Sequence, residues 1–179
     1  MRIIGGSHKG RRIQAPANLP VRPTTDMAKE ALFNILHNHY DFEGLKVLDL
    51  FAGIGSLSYE FAARDAAEVH SVELNPRCVS FITETTRKLN LKNLFVIRAN
   101  VFTYLSRGGG KKFDIIFADP PYDLEGIERI PELVLEKEML DKDGWLIVEH
   151  PASIDFSEHP NLDQQRNYGK VNFSMFSAK

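Results

Sequence analysis

An α/β protein built on a doubly wound, mostly parallel sheet of seven strands is the fold this sequence predicts, and three observations carry it. From Leu45 to Glu149, short apolar runs alternate with segments of helical periodicity, as successive βα units require. After Glu149 the alternation stops, and two runs flanking Gly169-Lys170 read as an antiparallel hairpin at the edge of the sheet. Before Leu45 lies a separate stretch, a short hairpin and one helix. It reads as an extension over residues 1–41 ahead of a sheet domain over 42–179, with the boundary near Asp41-Phe42-Glu43-Gly44.

The elements follow in order. Arg2-Ile3-Ile4 and Arg11-Arg12-Ile13, joined through Gly5 to Gly10, form the hairpin. Pro16, Pro20 and Pro23 keep the next stretch extended. Thr24 or Thr25 then caps a helix with Asp26 in its first turn, and Met27, Ala31, Leu32, Ile35 and Leu36 recur at helical spacing. Lys46 to Phe51 is the first strand, Ser56 to Arg64 a helix, and Glu68 to Glu73 the second strand. Pro76, a favoured first helical residue, opens a helix to about Leu89. Leu94 to Arg98 is the third strand, with a short helix to Leu105 after it. Phe113 to Ala118 is the fourth, followed by a helix from Ile127 to about Met139. Trp145 to Glu149 is the fifth, and Asp163–Tyr168 with Val171–Phe176 make the hairpin.

With 179 residues, 43% of them apolar and 26% charged, the chain has the size and balance of one globular domain that needs no staples. Its single cysteine, Cys78, cannot form an intrachain disulfide and reads as a small packed residue. The basic N-terminus has no apolar stretch behind it, which argues against a signal peptide, and no run approaches the length of a membrane span. A cytoplasmic location is the expectation. The net charge of −2 hides an asymmetry: residues 1–25 hold Arg2, Lys9, Arg11, Arg12 and Arg22 and no acid. This arm is either a grip on phosphates or a solvated terminus.

Two loops at strand ends carry the chemistry. Asp49-Leu50-Phe51-Ala52-Gly53-Ile54-Gly55-Ser56 joins the first strand to its helix, and its glycines allow a tight turn close to a ligand. Asp49 beside that turn would repel phosphates but attract a cation. Ser58 breaks the third position of the G-x-G-x-x-G dinucleotide fingerprint. Glu73, ending the second strand, can accept from both ribose hydroxyls or stand as a solvated charge. After the fourth strand comes Asp119-Pro120-Pro121-Tyr122. Two prolines cannot continue a central strand, so a carboxylate, rigid carbonyls and an aromatic ring meet where ligands of open α/β sheets bind. That set suits a planar base bearing an amino group. Glu149-His150 reads as a polar strand end, with the mouth of the pocket as the alternative, and Trp145 reads as core. The six histidines show no metal-ligand spacing.

Together, Asp49 to Gly55, Glu73 and Asp119 to Tyr122 resemble the class I S-adenosylmethionine-dependent methyltransferases that act on exocyclic amines, a Rossmann-like fold. The N-terminus narrows this. Arg2 to Arg12, Arg22-Pro23-Thr24-Thr25-Asp26 and Glu30 to Leu36 are similar to the bacterial RsmD family, 16S ribosomal RNA guanine-N2 methyltransferases, and the similarity spans nearly the whole chain. The resemblance implies S-adenosyl-L-methionine held by Asp49, Phe51, Ala52, Gly53 and Gly55, with Glu73 on the ribose and Asn100 at the adenine edge. Leu74, Val101 and Asp119 complete that site. It implies catalysis by Asp119, Pro120, Pro121 and Tyr122, and RNA contacts from Arg2, Lys9, Arg11, Arg12, Arg22 and Lys29. It further implies 16S ribosomal RNA or the small subunit as partner, a monomer and no metal.

The chain departs from the family pattern at three places. Asn100 stands where an aspartate is usual, although its amide oxygen can accept from the adenine amine. Met27-Ala28-Lys29 replaces a more basic Arg-x-Arg, which weakens the RNA grip. Ser56-Leu57-Ser58 replaces a more Gly/Ala-rich helix start. Other functions fit less well. A DNA adenine-N6 methyltransferase would carry a target-recognition insertion for which the chain has no room, and a protein glutamine methyltransferase has Asn in the first position of the tetrapeptide. A catalytically silent RNA-binding assembly factor stays open. A dinucleotide oxidoreductase is disfavoured by Ser58.

Overall fold

A computed structural model describes residues 1–19, 25–168 and 171–178. The expected strands are all present: β1 (Lys46–Leu50), β2 (Glu68–Glu73), β3 (Leu94–Arg98), β4 (Phe113–Ala118), β5 (Leu140–His150), β6 (Leu162–Tyr168) and β7 (Val171–Ser177). They form one sheet in the order β3-β2-β1-β4-β5-β7-β6. The first five run parallel, while β7 pairs antiparallel with both β5 and β6. The helices are α1 (Asp26–His37), α2 (Ser56–Ala63), α3 (Pro76–Lys88), α4 (Val101–Arg107) and α5 (Ile130–Glu136). None is long and apolar enough to cross a membrane.

At the centre of the sheet both faces are buried, and side-chain alternation divides them. On β1 and β4, Val47, Ile115 and Phe117 join one apolar cluster with α2 and α3, whereas Leu48, Leu50, Ile116 and Ala118 join another with α4 and α5. The N-terminal stretch packs on the first face: Ile3, Ile13, Leu32, Phe33, Leu36 and Phe42 belong to the same cluster as Val47 and Phe117. Met27, counted above on the apolar face of α1, stays 80% exposed, because the helix turns Leu32, Phe33 and Leu36 inward instead.

The hairpin is real but minimal, a single antiparallel bridge from Arg2 to Arg12 closed over a 3-10 turn, Gly6–His8. Gly6 (φ +67°) explains how it lies down. A Cβ there would sit 1.8 Å from the carbonyl oxygen of Ala63, so only glycine lets the hairpin press on the end of α2. The cap of α1 is Thr25, whose hydroxyl accepts from Ala28 N at 3.2 Å. Thr24, Pro20, Arg22, Pro23 and the Gly169-Lys170 turn lie outside the described residues.

Two elements differ from expectation by more than two residues. The helix from Ile127 is a 3-10 turn (Ile127–Arg129) and then α5, which ends at Glu136 because Glu138 takes a left-handed backbone (φ +50°). β5 starts five residues early, at Leu140. Asp141 to Gly144 form an irregularity in register against Phe113–Ile115, where Gly144 leaves room for the carbonyl oxygens of Phe113 and Asp141.

Candidate active site

In the strand order β2-β1-β4-β5 the connections leave in opposite directions: β1 leads to β2 on one side and β4 to β5 on the other. The loops after β1 and β4 therefore part at the carboxyl ends of their strands and open a crevice. The two loops singled out in the sequence are the two that flank it.

The β1 loop is tightly wound. Phe51, Gly53 and Gly55 have φ of 61°, 57° and 80°, and Phe51 in that region is a strained residue of the kind that gathers at binding sites. Ala52 N donates to Val72 O (3.0 Å) and Gly55 N to Ala52 O (2.7 Å). A Cβ on Gly55 would meet the ring of Tyr59 at 2.9 Å. Glu73 is no solvated strand-end charge. Its Oε2 accepts from Gly53 N at 2.8 Å and its Oε1 from Asn75 N at 2.7 Å, so the carboxylate is pinned against the turn with lone pairs left over for a diol. Leu74 beside it is 57% exposed, an apolar surface at the crevice. Val101 is buried in the second core cluster at the start of α4.

Asn100 is placed otherwise than its amide oxygen suggested. That oxygen caps α4, accepting from Thr103 N (3.1 Å) and from the Thr103 hydroxyl (3.4 Å). What Asn100 offers a ligand is therefore its N–H donors. The cap was legible in the sequence, since an Asn directly before a helix is among the strongest N-caps.

Asp49, Asp119 and Glu149 form the electrostatic centre. Val47, Phe117 and Ile147 mark one face of the sheet, and each acid lies two residues further along the chain, Asp119 just past the end of β4. Asp49 is buried, and burial pushes its pKa up to about 7 against the hydrogen bond from Ser58 Oγ (2.5 Å). Ser58 also meets Ser71, so the position that spoils the dinucleotide fingerprint is what holds Asp49. Asp119 is partly buried and tied to β1 by its N–H to Leu50 O (3.4 Å). Burial, then the charge of Glu149, then that of Asp49 push it up to about 8. Glu149, 7% exposed, is also raised by burial, opposed by the Tyr122 hydroxyl donating to its Oε1 at 3.0 Å. Among the described residues no basic side chain pairs with any of the three. Such a cluster can hold a cation and a row of hydrogen-bond donors.

Glu149 is thus the site residue that the sequence reading set aside as a polar strand end. Its neighbour His150 turns away into the fold, with Nε2 2.8 Å from Ser174 Oγ and Nδ1 3.0 Å from Pro151 O. Downstream of Asp119, Pro121 O accepts from Leu124 N (2.9 Å), and the turn leaves Tyr122 51% exposed at the crevice.

The basic arm divides in two. Lys29, expected on RNA, is corrected: it is 1% exposed. Its Nζ pairs with Glu60 Oε1 (2.9 Å) and Asp26 Oδ1 (3.5 Å) and donates to the Arg2 carbonyl. The cause is Glu60, wholly buried on α2, which takes one cation from below and Arg64 Nη1 (2.5 Å) from its own helix. Arg2 is partly engaged with Asp26 (3.2 Å), while Lys9, Arg11 and Arg12 are exposed on the hairpin. Arg22 lies outside the described residues.

The whole chain has known relatives. A family model described as Conserved hypothetical protein 95 matches residues 1–177. A Bacillus subtilis protein named putative rRNA methyltransferase YlbH is 30% identical over 185 residues, covering 100% of both chains. The Escherichia coli protein named ribosomal RNA small subunit methyltransferase D is 32% identical over 146 residues, 82% of this chain and 69% of that one. Among solved structures, the putative methyltransferase yhhF from Escherichia coli superposes with a TM-score of 0.86 at 28% identity, covering 100% of this chain and 99% of that one.

Proposed function

The chain belongs to the RsmD family of methyltransferases, the family of the Conserved hypothetical protein 95 model, and we propose that it methylates the exocyclic N2 of a guanine in 16S ribosomal RNA. The observation that carries this reading is the placement of Asp119-Pro120 directly after β4, across the crevice from the turn that Glu73 pins. Relatives named for ribosomal RNA, and for its small subunit, support the substrate class.

The methyl donor is S-adenosylmethionine, which supplies an electrophilic methyl on a cationic sulfur. The residues present fit it. Glu73 offers a fixed carboxylate to the ribose, and Leu74 an apolar surface to the adenine. The Asn100 amide N–H suits an adenine ring nitrogen. Three acids with no described cation beside them suit a positive ligand, and a cation beside them returns Asp49 and Asp119 toward their ionised forms.

The amino nitrogen of guanine is a poor nucleophile because its lone pair is spread into the ring. The Asp119 carboxylate and the Pro120 carbonyl accept its two N–H bonds, drawing the nitrogen toward a tetrahedral shape and freeing the lone pair. Pro120 and Pro121 keep that carbonyl rigid and remove competing amide donors. Tyr122 lies against the face of a base drawn out of its stack. Held in line, the reactants gain the rate that proximity gives. Asp119 then takes the proton that the methylated nitrogen releases.

Among the described residues, with Lys29 withdrawn into the fold, the basic surface of the arm rests on Lys9, Arg11 and Arg12, with Arg2 half engaged. So small a patch favours a structured target in the small subunit or an assembly intermediate over naked RNA. The test is incubation with labelled S-adenosylmethionine and small subunits lacking the modification, followed by mapping of the methyl group. Label on N2 of one guanine is expected, and more from subunits than from protein-free RNA at physiological salt. No incorporation into ribosomal RNA would refute the proposal.

A further inference from the structure

We infer that Glu149 is the residue that selects guanine over adenine: its carboxylate accepts the N1–H of the base whose amino group Asp119 and Pro120 hold. The inference rests on the guanine-N2 reading above and adds the means of choosing the base. Asp119-Pro120 alone accepts two N–H bonds from an amino group, and adenine carries one as well as guanine does. What separates the purines is the adjacent ring atom, a donor N1–H in guanine and an acceptor lone pair in adenine.

The geometry puts a second acceptor where that atom would be. β4 and β5 pair in register through Ala118 and Val148, so the next residues, Asp119 and Glu149, leave neighbouring strands side by side, about 4.8 Å apart at the backbone. The two carboxyls feel each other's charge, and no described cation separates them. A run of adjacent N–H donors, as on the N1 and N2 edge of guanine, satisfies both. A lone pair facing Glu149 would leave a buried carboxylate against an acceptor, which sites of this kind reject strongly. The Tyr122 hydroxyl bonded to Oε1 fixes the rotation of the carboxylate and leaves Oε2 for the base. A mere polar strand end would have no need of 7% exposure beside another acid.

The same hydroxyl makes Glu149→Gln a clean inversion. The Gln oxygen keeps the bond from Tyr122, and its amide N–H faces the base in place of an acceptor. The test uses small-subunit RNA ligated to carry guanine or 2-aminopurine at the mapped nucleotide and assembled into subunits. 2-Aminopurine keeps the 2-amino group but has an unprotonated N1. Wild-type protein is expected to methylate guanine roughly 10- to 100-fold faster than 2-aminopurine, the discrimination one good base contact gives. Glu149→Gln is expected to reverse the preference, slower on guanine and faster on 2-aminopurine. Equal wild-type rates on the two bases would overturn the inference, and this arm needs no variant. So would a variant that slows both bases by one factor. A wild-type protein that places its methyl elsewhere than N2 of guanine would overturn the proposed reaction, and the role of Glu149 with it.

Discussion

Beneath the N-terminal hairpin, Lys29 and Glu60 are buried as an ion pair, extended by Asp26 and Arg2 on one side and by Arg64 on the other. At the carboxyl ends of β1, β4 and β5, Asp49, Asp119 and Glu149 are three acids of one sign with no described cation beside them. Both clusters sit on the same face of the sheet, and α2 runs between them, with Ser58 on Asp49 and Glu60 on Lys29. The first is complete in itself: every charge has its opposite, and Arg64 also lies 3.9 Å over the ring of Phe33. The second is complete only with a positive, donor-rich ligand. Alternating signs hold structure, and repeated signs mark where the fold keeps an unpaired potential for chemistry.

The comparison breaks most severely at Lys29. Lys29→Met leaves Glu60 buried with one of its two cations gone, and removing one partner of a buried pair costs about 3–5 kcal/mol. Urea unfolding should show that loss, and adding Glu60→Gln should recover part of it. A single substitution that leaves the midpoint unmoved would mean that the network carries no stability.

Asp119→Ala should do the reverse, lowering kcat on subunits about 10²- to 10³-fold, the usual effect of losing one group that stabilises the reacting state. The thermal midpoint should hold or rise at pH 9. The sign follows from linkage. A carboxyl raised to about 8 in the folded state binds more protons there than in the unfolded chain. It therefore draws stability down as pH climbs from the ordinary carboxylate range through 8, and its removal relieves a loss that grows over that range and is complete above 8. A midpoint that falls at pH 9 as it does at pH 4 would place Asp119 among the structural charges.

A smaller effect sharpens the picture of the acid cluster. If Asp119 must be ionised to accept the amino hydrogen, kcat/KM should fall about tenfold per pH unit below about 8. The limb for kcat should lie at lower pH, since a bound cation favours the carboxylate. Glu149→Gln removes the neighbouring negative charge and should move the kcat/KM limb downward. A limb that stays in place would show that the two acids do not share a field.

What could be read in the sequence was what neighbours along the chain decide. Two prolines after a strand and two glycines after another have local consequences, so both loops of the crevice were legible. The short apolar runs of β1 and β4 were legible as well, as strands buried on both faces. What stayed hidden was set by pairings distant in sequence. Glu149 looked like a strand end because Tyr122 and Asp119 reach it only through the β4–β5 register. Lys29 looked like an RNA contact because Glu60 lies 31 residues away on another helix. Charge counted along a chain says nothing of which charges fold back on one another.

The smallest predicted effect tests that last point. A cation that touches phosphate displaces condensed counterions, so each one lost should flatten the dependence of log affinity on log salt by roughly 0.7 to 0.9. Lys9→Ala, Arg11→Ala and Arg12→Ala, all on the exposed hairpin, should each show this in RNA-binding titrations without loss of stability. Lys29→Met should show the opposite pairing, an unfolding defect with an unchanged slope, because a lysine bonded to Glu60 has no counterions to release. A flatter slope for Lys29→Met would mean that the hairpin lifts off α2 when RNA binds, with the ion-pair network as its latch.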